Sequence, residues 1–261
     1  MTLIASVLWG STAMAVIAPE STAILIQAQK LGIESETEKA YADLEKIPRA
    51  KLVSAFRDGL KDPSWSMITL NAVSALKVEE LALDLGDLAK TRDDWMLIAT
   101  LGSIAPETER SKLAQILISR LSKVSNPTRV ASLETLGAWH QQISKSDYEK
   151  YLKDESFEVR VAAVRAFVGS RTSLKAADQL SRYQQAFAAE PYTVRLEALN
   201  NFASLSSSEQ TQLIGALDSR FKKACGQEKN PQVKSKCDQL ISRLASVKSA
   251  ENAAEKSGGS K

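Results

Sequence analysis

Asp62-Pro63, Asp94, Asn126-Pro127 and Glu190-Pro191 fall on a common beat of 32 residues, at 62, 94, 126 and 190. Each stands just ahead of an apolar stretch with helical spacing. The beat missing at 158 lies inside a fifth such stretch that opens early, at Asp154. Asp or Asn followed by Pro starts helices for a physical reason: the side-chain oxygen accepts orphan backbone N–H groups, and Pro has no N–H to lose. A helix start recurring at this interval predicts a stacked array of helical pairs rather than one globular core. Such an array constrains the class of function to an extended binding surface and leaves the partner open.

The 261-residue chain is 44% hydrophobic, enough for a continuous core, and no segment alternates polarity as a half-buried strand would. Its net charge of +3 is unevenly placed, with an acidic excess over 16–105 and basic excesses over 106–204 and 205–261. That gradient suits an acidic protein or peptide partner over the C-terminal half. It lacks the dense basic stripe of a nucleic-acid binder. The first fifteen residues, MTLIASVLWGSTAMA, carry no charge and end in Ala13-Met14-Ala15, a small-x-small cleavage pattern. They predict a signal peptide over 1–15 cut before Val16, and a periplasmic or secreted location. No Lys or Arg precedes the apolar run, so either the true start lies upstream or the segment is a buried N-terminal helix, the alternative location being cytoplasmic. No later stretch is apolar over the length of a membrane span. Cys225 and Cys237 are the only cysteines. In an oxidising compartment they make one disulfide joining the last two helices; in the cytosol they stay free thiols.

Along the chain, the spacing predicts N-terminal helices over 16–60 that cap an array over 61–245, then a disordered tail over 246–261. The capping helices are Ser21 to Leu31, one opened by a Ser35/Glu38 capping box, and Ala50 to Leu60 with Leu52, Ala55, Phe56 and Leu60 on one face. First-type helices of the array are expected at 63–76, 94–104, 127–139, 155–168, 191–204 and 231–244. Second-type helices fall between them at 78–90, 107–124, 146–153, 173–188 and 208–223, the last opened by a Ser206/Glu209 capping box. Leu101-Gly102, Leu136-Gly137 and Val168-Gly169 recur near first-helix ends, where a glycine fits either a C-cap or a close helix crossing.

The run Asp154-Glu-Ser-Phe-Glu-Val159-Arg160-Val-Ala162-Ala163-Val-Arg-Ala166-Phe167 resembles the first helix of a HEAT repeat. Glu190-Pro191-Tyr-Thr-Val194-Arg195-Leu-Glu-Ala198-Leu repeats it, and Asn230-Pro231-Gln-Val233-Lys234 and Asp62-Pro63-Ser-Trp65 match more loosely. The resemblance covers about residues 61–245. It implies an all-α chain, an α-solenoid of about six helix pairs in a right-handed superhelix, with the second helices lining the concave face. It also implies ladders of acid and Arg between repeats, such as Asp154 with Arg195, which gives Arg160 and Arg195 structural rather than ligand-binding roles. HEAT-like folds include enzymes as well as scaffolds, so a cytosolic phycobilin lyase-like or DNA glycosylase-like enzyme stands as the alternative.

Catalytic or cofactor chemistry is not readable. His140 is the only histidine and has no metal-ligating neighbours at suitable spacing, which predicts a surface residue at a helix C-terminus. Asp93/Asp94 and Glu79/Glu80 read as capping and solvated charge rather than acid/base pairs. No phosphate-binding or calcium-binding loop is present, so neither a metal nor a cofactor is expected. Trp65, Trp95, Phe157 and Tyr192 recur at helix starts, where packing on the preceding pair is expected over a stacking platform, and Trp139 is expected between repeats. The candidate binding surface lies on the second helices. Leu113, Leu117, Leu121, then Leu174, Ala177, Leu180, then Leu213, Leu217, Phe221 are assigned to their buried faces. Lys112, Lys123, Lys175, Arg182, Lys222 and Lys223 flank those faces as candidate partner-binding residues. The expectation is a monomeric, non-enzymatic scaffold or adaptor that takes a protein or peptide in its concave face.

Overall fold

The computed structural model describes residues 17–214 and 218–258, and among them every regular element is helical. The expected signal peptide over 1–15 lies outside the described residues. No described helix is long and apolar enough to cross a membrane. The chain divides into two compact units at Leu85/Gly86.

The first unit holds α1 (Pro19–Gln29), α2 (Thr37–Glu45), α3 (Arg49–Lys61) and α4 (Pro63–Ala75). Helices α1, α3 and α4 pack on one another around Leu25, Phe56, Leu60, Leu70 and Val73. The apolar face of α3 is the expected one, with Leu52, Ala55, Phe56 and Leu60 all buried. The Ser35/Glu38 capping box does not form: α2 begins after Glu36 without a side-chain cap, and the Thr37 hydroxyl donates to the Ile33 carbonyl at 2.8 Å. Asp62 caps α4 as expected, accepting from Ser64 N at 2.8 Å. The unit boundary runs through α5 (Ala82–Ala89).

The second unit holds α6 (Trp95–Ile104), α7 (Glu107–Arg120), α8 (Asn126–Ala138), α9 (Lys145–Tyr151), α10 (Phe157–Ser170), α11 (Ala176–Phe187), α12 (Tyr192–Ala203), α13 (Ser207–Ile214), α14 (Asp218–Gln227) and α15 (Pro231–Gly258). The first-type helices stack in order, α6 on α8, α8 on α10, α10 on α12 and α12 on α15. This is the signature of a repeat array, in which each unit buries its apolar face only against its neighbours. Arg165 spans three of these helices, bonding Glu134 at 2.9 Å and Glu197 at 3.0 Å.

The helix starts obey the beat, but the capping atom changes. Asp94 accepts from Met96 N at 2.9 Å and Leu97 N at 3.3 Å, and Asn230 accepts from Gln232 N at 3.0 Å and Val233 N at 3.3 Å. At α8, Ser125 rather than Asn126 occupies the cap position; its N–H and hydroxyl donate to Asp93 at 2.8 and 2.9 Å. At α10, Ser156 caps Val159 N, and Asp154 instead accepts from Ser156 N at 3.0 Å. Helix α12 starts at Tyr192 with no side-chain cap. The Ser206/Glu209 box closes reciprocally, Glu209 N to Ser206 Oγ at 3.3 Å and Ser206 N to Glu209 Oε2 at 2.9 Å.

The recurrent glycines serve helix crossings, not C-caps, since no described glycine has positive φ. A Cβ on Gly102 would meet Thr135 Oγ1 at 2.7 Å, and one on Gly137 would meet Ala166 Cα at 2.9 Å. The left-handed cap after α8 is His140 itself, at φ 57°. Gln141 N–H reaches back to Leu136 O at 2.9 Å and His140 N–H to Gly137 O at 3.0 Å, a Schellman closure. The histidine therefore sits at a helix C-terminus, as expected, with its Nδ1 2.6 Å from Gly169 O.

Two expectations need correction. The tail does not leave the helix at 246: α15 continues to Gly258. Residues 246–257 contain no Gly or Pro and are rich in Ala, Lys, Glu and Ser, so nothing stops propagation from an established helix. The face of α11 is also different, for Arg182, Tyr183, Ala186 and Phe187 are buried while Leu174 and Leu180 are half-buried and Ala177 is exposed. Tyr183 enters a ring cluster, 4.8 Å from Phe167 and 5.1 Å from Phe202, and these large rings outcompete the leucines for the core.

Cys225 of α14 and Cys237 of α15 are both buried and form a disulfide across the turn, with Cα atoms 5.6 Å apart. Closing this short loop restricts the unfolded chain, a contribution of about 2–3 kcal/mol. Reduction, or Cys237→Ser, is accordingly expected to lower stability by about that amount in urea melts. An unchanged midpoint would exclude a stabilising role.

Candidate functional site

Arginines at matching places in the first-type helices organise the second unit. Arg129 of α8 donates from Nε to Leu121 O at 2.7 Å, from Nη2 to Val124 O at 2.9 Å and from Nη1 to Asp154 at 3.2 Å. Arg195 of α12 donates Nη1 to Ala189 O at 2.9 Å, and its Nε and Nη2 grip Glu228 at 2.7 and 3.0 Å. The ladder expected between Asp154 and Arg195 thus has different rungs, Arg129–Asp154 and Arg195–Glu228. Each Arg reaches the acid that precedes the next first-type helix, a register that helix-start spacing alone does not fix.

The Arg195–Glu228 rung is well shielded, with side chains 13% and 9% exposed. Burial disfavours the charge on Arg195, but hydrogen bonds to Glu228 and Glu190 outweigh it and raise its pKa. The Arg195 hydrogen bond, opposed by burial, holds Glu228 below the usual carboxylate range. A carboxylate with a depressed folded pKa stabilises the fold above its unfolded pKa, and that stability is lost as pH falls through the folded value. Glu228→Gln should therefore cost about 1–2 kcal/mol at neutral pH, the scale of a charge-assisted hydrogen bond. The cost should vanish in strong acid. A deficit that persists there in pH-dependent melts would assign it to packing.

Arg160 of α10 breaks the series. Its Nη1 donates to Asp154 O at 2.6 Å, six residues back, as Arg195 does to Ala189 O. Beyond that the guanidinium makes no further hydrogen bond or ion pair among the described residues, Glu158 acting on it only through its charge, and Nε is buried and unsatisfied. Arg160 lines a cavity of about 510 Å³ together with Glu149, Leu152, Lys153, Gln185, Ala188, Ala189 and Glu190. Helices α9, α10 and α11 and the segment before α12 supply this wall. Gln185 Nε2 donates to Glu149 at 2.9 Å, which fixes the amide and leaves Gln185 Oε1 buried without a donor. Glu190 turns away to Arg195 at 2.8 Å and stays 80% exposed. A volume of this size is within the range of small-ligand and peptide-end sites, about 300–1,000 Å³.

Of the six candidate partner-binding residues, Lys112, Lys123, Lys175, Lys222 and Lys223 are exposed. Arg182 is not. It is 4% exposed, donates Nη2 to Ile143 O at 3.0 Å and stacks over the Tyr148 and Phe167 rings at 5.2 and 5.9 Å. Burial lowers its pKa. The helix phase that puts Tyr183 in the core carries Arg182 in with it. The helix-start aromatics are likewise more exposed than core packing predicts, with Trp95 at 52%, Phe157 at 48% and Tyr192 at 37%. Trp139 does pack between repeats, buried and donating to Gly102 O at 3.2 Å. The residues around Arg160 were legible only as ladder members. The available signal was a comparison of acids: Asp154 stands six residues before Arg160 and Glu228 six before Lys234, but Ala189 six before Arg195.

No family model matches the chain, and no curated protein matches it by sequence. Its structure is similar to the crystal structure of the archaeal HEAT-like repeats protein from Thermococcus onnurineus NA1, with a TM-score of 0.52 at 12% identity, covering 87% of this chain and 97% of that one. With the stacked first helices and the inter-repeat arginine rungs, that likeness shows the architecture: the chain has the HEAT-like repeat fold.

Proposed function

We propose that this chain is a non-enzymatic scaffold or adaptor of an oxidising, extracytoplasmic compartment, holding a protein or peptide partner on its second-type helices. The observation that carries the reading is the HEAT-like repeat architecture itself, which spreads a core one layer deep over an extended surface. The exposed lysines at 112, 123, 175, 222 and 223 favour an acidic partner, which they would steer and orient. Location outside the cytoplasm is supported by the buried Cys225–Cys237 disulfide and by the leader-like residues 1–15.

Combined Lys175→Glu, Lys222→Glu and Lys223→Glu should leave helicity intact and change stability by only about 0.5 kcal/mol per site, since all three are exposed. The same variant should lose partners that co-purify with the wild-type chain at low salt. A variant that keeps every wild-type partner at low and high salt alike would reject the basic surface. Mature protein from the cytosolic fraction whose sequence still starts at Met1 would reject export.

A further inference from the structure

Arg195 and Arg160 are built alike up to one atom group. Each sends Nη1 to a backbone carbonyl six residues upstream, at 2.9 and 2.6 Å. In Arg195 the remaining Nε/Nη2 edge clasps a carboxylate, Glu228, with two parallel bonds of 2.7 and 3.0 Å. In Arg160 the same edge makes no bond to any described residue. The position that carries the acid, six residues before the basic residue of the next first-type helix (Asp154 before Arg160, Glu228 before Lys234), is occupied before Arg195 by Ala189, and Ala189 lines the cavity. A guanidinium edge has the planar two-donor geometry that a carboxylate matches. A buried donor left without an acceptor is a standing cost that such a group would remove.

We propose that the cavity beside Arg160 binds the carboxyl terminus of a peptide, whose terminal carboxylate takes the place that Glu228 holds on Arg195. The cavity supplies the rest of such a ligand's needs. Gln185 Oε1, buried without a donor, accepts the N–H of the terminal residue. Leu152, Ala188 and Ala189 give that residue's side chain an apolar wall. Lys153, exposed at the rim and without an ion-pair partner among the described residues, adds positive charge. The two acidic walls are already engaged, Glu149 by Gln185 and Glu190 by Arg195. The inference rests on the adaptor reading for its choice of a peptide, though the carboxylate chemistry stands without it.

The test is a binding titration of the full chain, followed by NMR at the Arg160 and Gln185 side-chain N–H signals. The probes are acetyl-Ala-Ala-Val with a free carboxylate, its C-terminal amide, acetyl-Ala-Glu-Ala-amide and free valine. The free-carboxylate peptide should bind and shift both signals, with the amide at least about tenfold weaker, the scale of one charge-assisted bond. Preference for the internal glutamate, or for free valine, would overturn the terminal-peptide assignment in favour of that carboxylate source. Equal binding of the amide, or no shift with any probe, would overturn the site itself.

Ala189→Glu supplies a second arm, because residue 189 is only half-buried and borders the cavity, which leaves room for a longer side chain. It should complete the rung within the chain, raise the melting temperature and abolish probe binding. Arg160→Gln should abolish binding without that rise, and circular dichroism checks that both variants keep their helicity. Ala189→Glu binding the probe as tightly as wild type would refute the proposal. Partner capture by a chain that binds no probe would leave the adaptor reading standing alone. Probe binding by a chain that captures no partner would do the reverse.

Discussion

Replacing Arg182 by glutamate should unfold or nearly unfold the second unit, whereas replacing it by methionine should be tolerated. Arg182 is 4% exposed, and its guanidinium has one backbone acceptor, Ile143 O, and two ring faces, Tyr148 and Phe167. Its Nε and Nη1 are buried with no acceptor. Glutamate would place an uncompensated carboxylate against the Ile143 carbonyl and the aromatic rings, a loss of about 3–5 kcal/mol. Methionine keeps the volume and removes two unsatisfied donors at the expense of one hydrogen bond and the cation–π contact. The balance should lie within about 1 kcal/mol of wild type or on the stabilising side. Urea denaturation of both variants checks this. Equal destabilisation by Glu and Met would show that the cation is required, and a folded glutamate variant would show that the guanidinium is hydrated in solution.

The second large effect is expected at Gly169. A Cβ there would fall 2.8 Å from Gly137 Cα and closer still to the Gly137 carbonyl, so the obstruction is backbone of α8 rather than a movable side chain. Helices α8 and α10 cross at this point, and the repeats on either side fix their separation. Gly169→Val should cost more than about 3 kcal/mol, above the usual range for overpacking, because no rotamer change relieves it. Gly32→Val is the matched control, since nothing lies within 4 Å of a Cβ built there. Thermal melts showing similar losses at both sites would attribute the effect to valine in general rather than to the crossing.

Helix starts are set by contacts within three or four residues, and these were legible in the sequence. Asp62, Asp94 and the Ser206/Glu209 box cap where their local chemistry says they should. Recurrence on a 32-residue beat carried the inference from local caps to a repeat fold, because only stacking gives every repeat the same buried face. The cysteine pair was legible for the same reason, its members flanking a short turn between consecutive helices. Gly137 and Gly169 were recognisable as special, but two local explanations competed. Only the position of one helix against the next selected the crossing.

What neighbours decide lay beyond sequence pattern. Asn126 gave up its cap because Asp93, from another repeat, holds Ser125 in place. Arg182 shared its basic character with the lysines at 175, 222 and 223, yet α11 rolls to bury Tyr183 among Phe167 and Phe202 and takes the arginine inside. Arg160 and Arg195 sit in nearly the same motif, and their difference rests on Ala189 against Glu228, residues just ahead of the next first-type helix and more than 25 positions along the chain from the arginine concerned. The sequence by itself determined the helices and their repeat interval, because caps, apolar spacing and short loops act locally along the chain. The tertiary structure decided which charges are buried, which rungs close and where a cavity opens, because each of those depends on atoms brought together from separate repeats.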